Sequence, residues 1–219
     1  VLQSRGAEVI HLGHDRSVHD VVNAAIQEDV HGVAISSYQG GHIEYFTYMV
    51  EQLAALGAPQ IKVFGGGGGT ITDREISDLH AQGISRIYSV EDGRRMGLVG
   101  MIDHMIDHAQ RAPESPVTEL PDTFFARKSS AVGQVLTTIE TAHHQKDAAT
   151  LESLRATFAT RPNRPVLGIT GVGGAGKSSL TDELVRRYLD AFEDRTVAVL
   201  SVDPTRRRSG GALLGDRIR

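Results

Sequence analysis

Residues 168–180 read GITGVGGAGKSSL, and Gly171, Gly176, Lys177 and Ser178 within them satisfy G-x-x-x-x-G-K-[ST]. The pattern carries that meaning between a strand and a helix, and Val166–Thr170 and Lys177–Ala191 read as that strand and that helix. Glycines at 173, 174 and 176 let backbone N–H groups curl round phosphate oxygens, while the helix N-terminus adds its partial positive charge. Lys177 is then the side chain that reaches the terminal phosphates, the catalytic candidate, and the Ser178 hydroxyl is a Mg²⁺ ligand. The expected contacts with a nucleotide are Gly171, Gly173, Gly174, Ala175, Gly176, Lys177, Ser178 and Ser179.

Downstream, the stretch VLSVDPTRRRSGGALLGDRIR ends a β-branched run at Asp203. A carboxylate there can hold Mg²⁺ beside the phosphate loop, or it can end the strand in an Asp-Pro turn. Asp216, past the flexible Gly210-Gly211, is a weaker second metal candidate. With no cysteine, no apolar run of spanning length and no basic leader followed by an apolar core, the plain reading is a cytoplasmic enzyme. The net charge of −4 and the scatter of basic residues argue against a nucleic-acid surface. The Arg206-Arg207-Arg208 triplet reads as solvated loop.

Upstream, β-branched runs alternate with helical patterns. Glu8–Leu12 precedes a helix near Val18–Glu28, Gly32–Ser36 precedes Ile43–Leu56, and Ile61–Phe64 precedes Asp73–Gln82. Ile84–Ser89 then leads to a helix near Arg94–Gln110. That rhythm predicts a parallel sheet with helices on both faces, and the Ser and Gly clusters fall at strand C-terminal ends, where open α/β sheets bind ligands. The Pro/Ser/Glu/Thr stretch around Ala112–Asp122 reads as a linker. Helices follow near Ser130–His144 and Ala148–Phe158, and a second parallel unit runs from Val166–Thr170 to Val197–Val202. The predicted class is α/β, two doubly wound parallel-sheet domains over residues 1–112 and 130–219, joined by 113–129. Both are expected to be incomplete, because the chain opens on what reads as a helix tail and stops soon after the phosphate loop.

Together the phosphate loop and Val202-Asp203-Pro204, Arg208, Gly210-Gly211 and Leu214-Gly215-Asp216 resemble the metallochaperone GTPases that load cobalamin onto acyl-CoA mutases. The resemblance implies GTP as ligand, places Asp203 and Asp216 round its Mg²⁺, and sets Arg219 near the phosphates. The N-K-x-D base-recognition motif is expected past Arg219, so GTP rather than ATP follows from the resemblance alone. The first domain resembles the flavodoxin-like cobalamin-binding module of the same mutases, whose signature is D-x-H-x-x-G, then S-x-L, then G-G. Ser36-Ser37-Tyr38 and Gly65-Gly66 match the last two parts, with Tyr38 in place of Leu. A small hydroxyl and bare backbone leave room for a buried nucleotide tail, which makes Ser36, Ser37, Gly65 and Gly66 the cofactor candidates.

The cobalt ligand is not His14, since D-x-H-x-x-G asks for Asp at 12 and Gly at 17 where the chain has Leu12 and Ser17. Counted back from Ser36, the motif falls about ten residues before Val1. The pair His104/His108 has metal-binding spacing but reads as a solvated face of a helix that turns Met96, Leu98, Met101, Ile102 and Ile106 inward.

A cobalamin module followed directly by a chaperone GTPase resembles the fused isobutyryl-CoA mutases. That implies adenosylcobalamin, GTP and Mg²⁺ as cofactors, an acyl-CoA substrate held by a barrel beyond the present chain, and a homodimer. On this reading the 219 residues alone are inactive. Two other readings stay open on the residues: a free-standing cobalamin chaperone GTPase, and a P-loop NTPase with an unrelated flavodoxin-like domain.

Overall fold

A computed structural model describes residues 1–38, 40–110, 120, 122–161 and 164–202. They divide into two compact units, Val1–Arg161 and Pro162–Arg219. The first follows the predicted alternation: α1 (Val18–Gln27), β1 (Gly32–Ser36), α2 (His42–Ala55), β2 (Lys62–Gly66), α3 (Asp73–Ala81), β3 (Arg86–Tyr88) and α4 (Val90–Ala109). The short α5 (Asp122–Phe125), then α6 (Ser129–Gln145) and α7 (Ala148–Ala159), complete it. The strands form a parallel sheet in the order β1-β2-β3.

Local chemistry explains where the helices start. Ser17 caps α1 by accepting from the Asp20 N–H at 3.1 Å. Thr72 with Glu75 and Ser89 with Asp92 form reciprocal capping boxes at α3 and α4. Val18, Val21, Val22, Ala25 and Ile26 lie on one face of α1, and Phe46, Met49 and Leu53 on one face of α2. Both faces pack with Val63, Leu79 and Ile87 into one core. Successive strand residues point to opposite faces of a sheet. Ile87 accordingly faces that core, whereas Tyr88 faces α4, where its hydroxyl lies 2.9 Å from His104 Nδ1. Among the described residues no helix is long and apolar enough to cross a membrane.

Several expectations change. Glu8–Leu12, Val166–Thr170 and Val197–Val202 are not strands, because a strand exists through its hydrogen-bonded ladder and none of the three has one among the described residues. Helix α4 begins at Val90 rather than Arg94, a start the Ser89-x-x-Asp92 capping box already encodes. It also breaks at Gly97, whose φ of 63° and ψ of 174° leave the helical region and suit glycine alone. Past the break the apolar stripe rotates: Ile102 is buried, but Leu98, expected inside, is 60% exposed. His104 and His108 are not a bare solvated face, since their rings stack at 3.8 Å and His104 also meets Tyr88. By packing, helices α6 and α7 group with the first compact unit, where α6 lies on α1.

The free edge of β3 has its own partner: the Ile87 N–H donates to His80 Nε2 of α3 at 3.1 Å. Burial, and then the neighbouring Arg86 cation, hold the His80 pKa below its ordinary value. The unfolded chain therefore takes up this proton first on acidification. The stability carried by neutral His80 is complete above about pH 6.5 and is lost as pH falls through the folded pKa. Urea midpoints are expected to drop between pH 7.5 and pH 5.5, and to drop less in His80→Gln, whose amide oxygen still accepts. An equal drop in that variant excludes His80 as the titrating group.

Candidate functional sites

The second unit presents the phosphate loop. Gly171 to Gly176 form an exposed turn that enters α8 (Lys177–Ala191). Gly174 and Gly176 hold φ of 77° and 80°, values open to glycine at little cost. A Cβ built on Gly173, Gly174 or Gly176 meets no atom within 4 Å, so the space over the loop is clear. Lys177 folds back and donates from Nζ to the carbonyls of Gly171 and Val172, at 2.8 Å each. No side chain caps α8, and its first turn carries no acid, so the N–H groups of that turn have no competing anion beside them. Ser178 and Ser179 are exposed in the same turn. This donor set of cation, free N–H groups and hydroxyls fits a polyphosphate. Asp203, Asp216 and Arg219 lie outside the described residues.

The first unit gathers its predicted residues at the C-terminal ends of β1 and β2. Ser36 pairs in register with Gly66 and Ile35 with Gly65. The pleat sends the two glycines to opposite faces. A Cβ on Gly66 meets nothing closer than the Tyr88 carbonyl at 3.6 Å, and the Ser36 beside it is exposed, so these two open toward the α4 side. Gly65 is buried: a Cβ there overlaps Phe46 Cζ and stands 2.6 Å from Ile87 Cδ1. Its bareness serves the core, whereas Ser36 and Gly66 lie on the open side of the strand ends, with Ser37 following Ser36 in the loop.

The two strand-end loops are stitched together. The Ser37 N–H donates to the Gly66 carbonyl at 2.8 Å, and the Thr70 hydroxyl lies 2.7 Å from the Gly67 carbonyl and 3.2 Å from that of Ser37. A Cβ on Gly67 overlaps the Ser37 carbonyl oxygen, so only glycine permits that approach. Gly67 and Thr70 escaped the sequence reading, although the glycine run continuing through Gly69 into Thr70 carried the signal. Tyr38 is exposed, with its ring over Gly68. His42 Nε2, at the start of α2, lies 3.4 Å from Glu75 Oε1 of α3. The Thr72 backbone N–H and hydroxyl, ahead of His42, hold the Glu75 pKa below the ordinary carboxylate range. His14 stands almost fully in solvent, 2.7 Å from Asp15 Oδ2. No group of three or more histidines and carboxylates among the described residues is arranged to hold a metal.

Two family models match the sequence: the B12 binding domain over residues 1–89 and the methylmalonyl Co-A mutase-associated GTPase MeaB over residues 132–219. The whole chain is 52% identical to the fused isobutyryl-CoA mutase of Geobacillus kaustophilus and 56% identical to that of Cupriavidus metallidurans. It spans 20% of the length of each. The GTPase ArgK of Escherichia coli is 34% identical over 41% of the chain and 27% of its own length. Along its whole length the chain is thus similar to about one fifth of the fused isobutyryl-CoA mutases, with residues 1–89 matching the B12 binding domain and residues 132–219 the MeaB GTPase.

Proposed function

We propose that this chain supplies the cobalamin-binding and nucleotide-binding parts of an adenosylcobalamin-dependent mutase that interconverts isobutyryl-CoA and butyryl-CoA, and that its GTPase segment governs cofactor loading. The observation that carries the proposal is the similarity of the whole chain to one fifth of the length of the fused mutases, together with two sites of the matching kinds. Bound adenosylcobalamin supplies the radical chemistry of the rearrangement. Ser36 and Gly66 would accept its nucleotide tail at the open strand ends. Lys177 and the first turn of α8 would bind the GTP phosphates, with Ser178, Asp203 and Asp216 serving Mg²⁺ and Arg219 near the phosphates. The acyl-CoA site, the homodimer, the axial cobalt ligand upstream of Val1 and a cytoplasmic setting belong to the same proposal.

Visible absorbance of the purified natural gene product tests it: bound cobalamin is expected, and a colourless protein after reconstitution rejects the reading. Within that protein His14→Ala is expected to leave histidine coupling to Co(II) unchanged in electron paramagnetic resonance, because His14 faces solvent outside the motif. Loss of that coupling would make His14 the ligand. Asp203→Ala and Asp216→Ala are expected to slow Mg²⁺-dependent GTP hydrolysis far more than they weaken GTP binding, since a carboxylate repels phosphate unless a cation sits between them. Unchanged hydrolysis at limiting Mg²⁺ in both variants removes these residues from the metal site.

A further inference from the structure

Ser36, Gly66 and Tyr88 pair in register across the three strands, so they form one row on the sheet face that turns toward α4. Helix α4 meets that row as two pieces. The first, ahead of Gly97, is fixed by the reciprocal cap of Ser89 and Asp92 and by the guanidinium groups of Arg86 and Arg95, which lie 2.7 and 3.1 Å from the Asp92 carboxylate. The second, residues 98–109, is held more lightly. Ile102 is its one buried side chain, and two polar ties from other elements add to it: Tyr88 on His104 at 2.9 Å, and the Arg5 guanidinium donating to both carboxylate oxygens of Asp103.

Leu98 lies one turn ahead of Ile102 on the same side of this second piece, yet it is 60% exposed, and Val99 next to it is 50% exposed. The apolar stripe lifts off the fold at its Gly97 end. A Cβ built on Gly97 meets nothing within 4 Å, so no neighbour forces the break, while one on Gly100 stands 3.1 Å from Met96 Cβ, so a bare Gly100 makes room for the bend. Dihedrals confined to glycine, open space around them and an uncovered apolar end beyond them are the marks of a hinge.

We propose that residues 98–109 form a lid hinged at Gly97, which closes toward the Ser36–Gly66–Tyr88 row and lays Leu98 on the nucleotide tail of a bound corrinoid. The inference rests on the cobalamin reading given above and deepens it, by giving Leu98 a part in choosing corrinoids that carry a tail over those that lack one. A flat base lodged beside bare Gly66 stays partly wet unless something covers it, and removing that apolar surface from water, together with Leu98, drives the closure.

The test uses the natural gene product with two probes, hydroxocobalamin and cobinamide, the second having the same corrin ring without the nucleotide. Amide hydrogen exchange and absorbance titration are the readouts. In the wild type, cobalamin is expected to slow exchange across 98–109 by about fivefold or more, whereas cobinamide binds and leaves it unchanged. Leu98→Ser is expected to weaken cobalamin binding about tenfold, with cobinamide affinity unaltered. Its melting temperature is expected to hold, because Leu98 is exposed before the ligand arrives. Gly97→Ala, which cannot keep a φ of 63° with a ψ of 174°, is expected to abolish the cobalamin-dependent change in exchange; should it misfold, Leu98→Ser still decides. Cobalamin binding without slower exchange in 98–109, equal slowing by cobinamide, or an undiminished preference for cobalamin in Leu98→Ser overturns the lid. A wild type that binds neither corrinoid sinks the cobalamin reading itself, and the lid with it.

Discussion

Replacing Lys177 with alanine in the natural gene product is expected to abolish GTP binding in titration calorimetry. Its ammonium is the one side-chain cation placed at the loop by the described residues, held 2.8 Å from two loop carbonyls. Phosphate oxygens would replace those carbonyls as acceptors and add full charge attraction. Hydrogen bonds to charged groups are worth about 1.5–3 kcal/mol each, so losing two weakens binding by roughly a hundred- to ten-thousand-fold. The glycine backbone and the first turn of α8 do not restore a positive charge. Near-normal GTP affinity in Lys177→Ala would falsify the assignment of this loop as a phosphate site.

Gly65→Val is expected to lower the melting temperature sharply and, as a consequence, to abolish cobalamin retention. Phe46 and Ile87 are almost completely buried and already fill the space a side chain would need. Overpacking of this kind costs about 1–3 kcal/mol for modest insertions, and valine adds three carbons against two immovable neighbours. At the upper figure the shift is roughly 6–12 °C for a unit of this size. Gly66→Ala separates stability from ligand contact, because its Cβ enters open space and the fold is expected to keep its melting temperature. A Gly65→Val protein that melts like the wild type would show that Phe46 and Ile87 move freely, contrary to their packing.

The phosphate loop and the strand-helix rhythm were legible because both are local. A glycine spacing and a Lys-Ser pair define the one, and apolar periodicity defines the other. What sequence could not show was the facing of neighbours. Gly65 and Gly66 look equivalent on the page, yet the pleat gives one to the core and the other to the open strand end. The break at Gly97 was hidden because a periodic apolar pattern runs across it, and the exposure of Leu98 follows from that single backbone turn. Strand propensity at Glu8–Leu12 is visible in its residues, but a ladder is a property of two segments and cannot be read from one. The seat of α6 on α1 joins residues more than a hundred positions apart, through a glycine whose spacing carries no motif.

The hydrogen bond from Ile87 to His80 also bears on how copies of this chain behave toward each other. An edge strand offers unpaired amides on which another chain can template, and natural proteins block that offer with a side chain, a charge or a cover. Here the block is an imidazole, and it holds while the ring is neutral. Protonation removes its lone pair and releases the edge amide. A fall in pH also erodes long-range repulsion, because the chain has ten histidines against a formal charge of −4, and charging four of them brings the net charge to zero. Acidification therefore weakens both long-range repulsion and edge protection, which favours neutral to slightly alkaline buffer for keeping the chain dispersed.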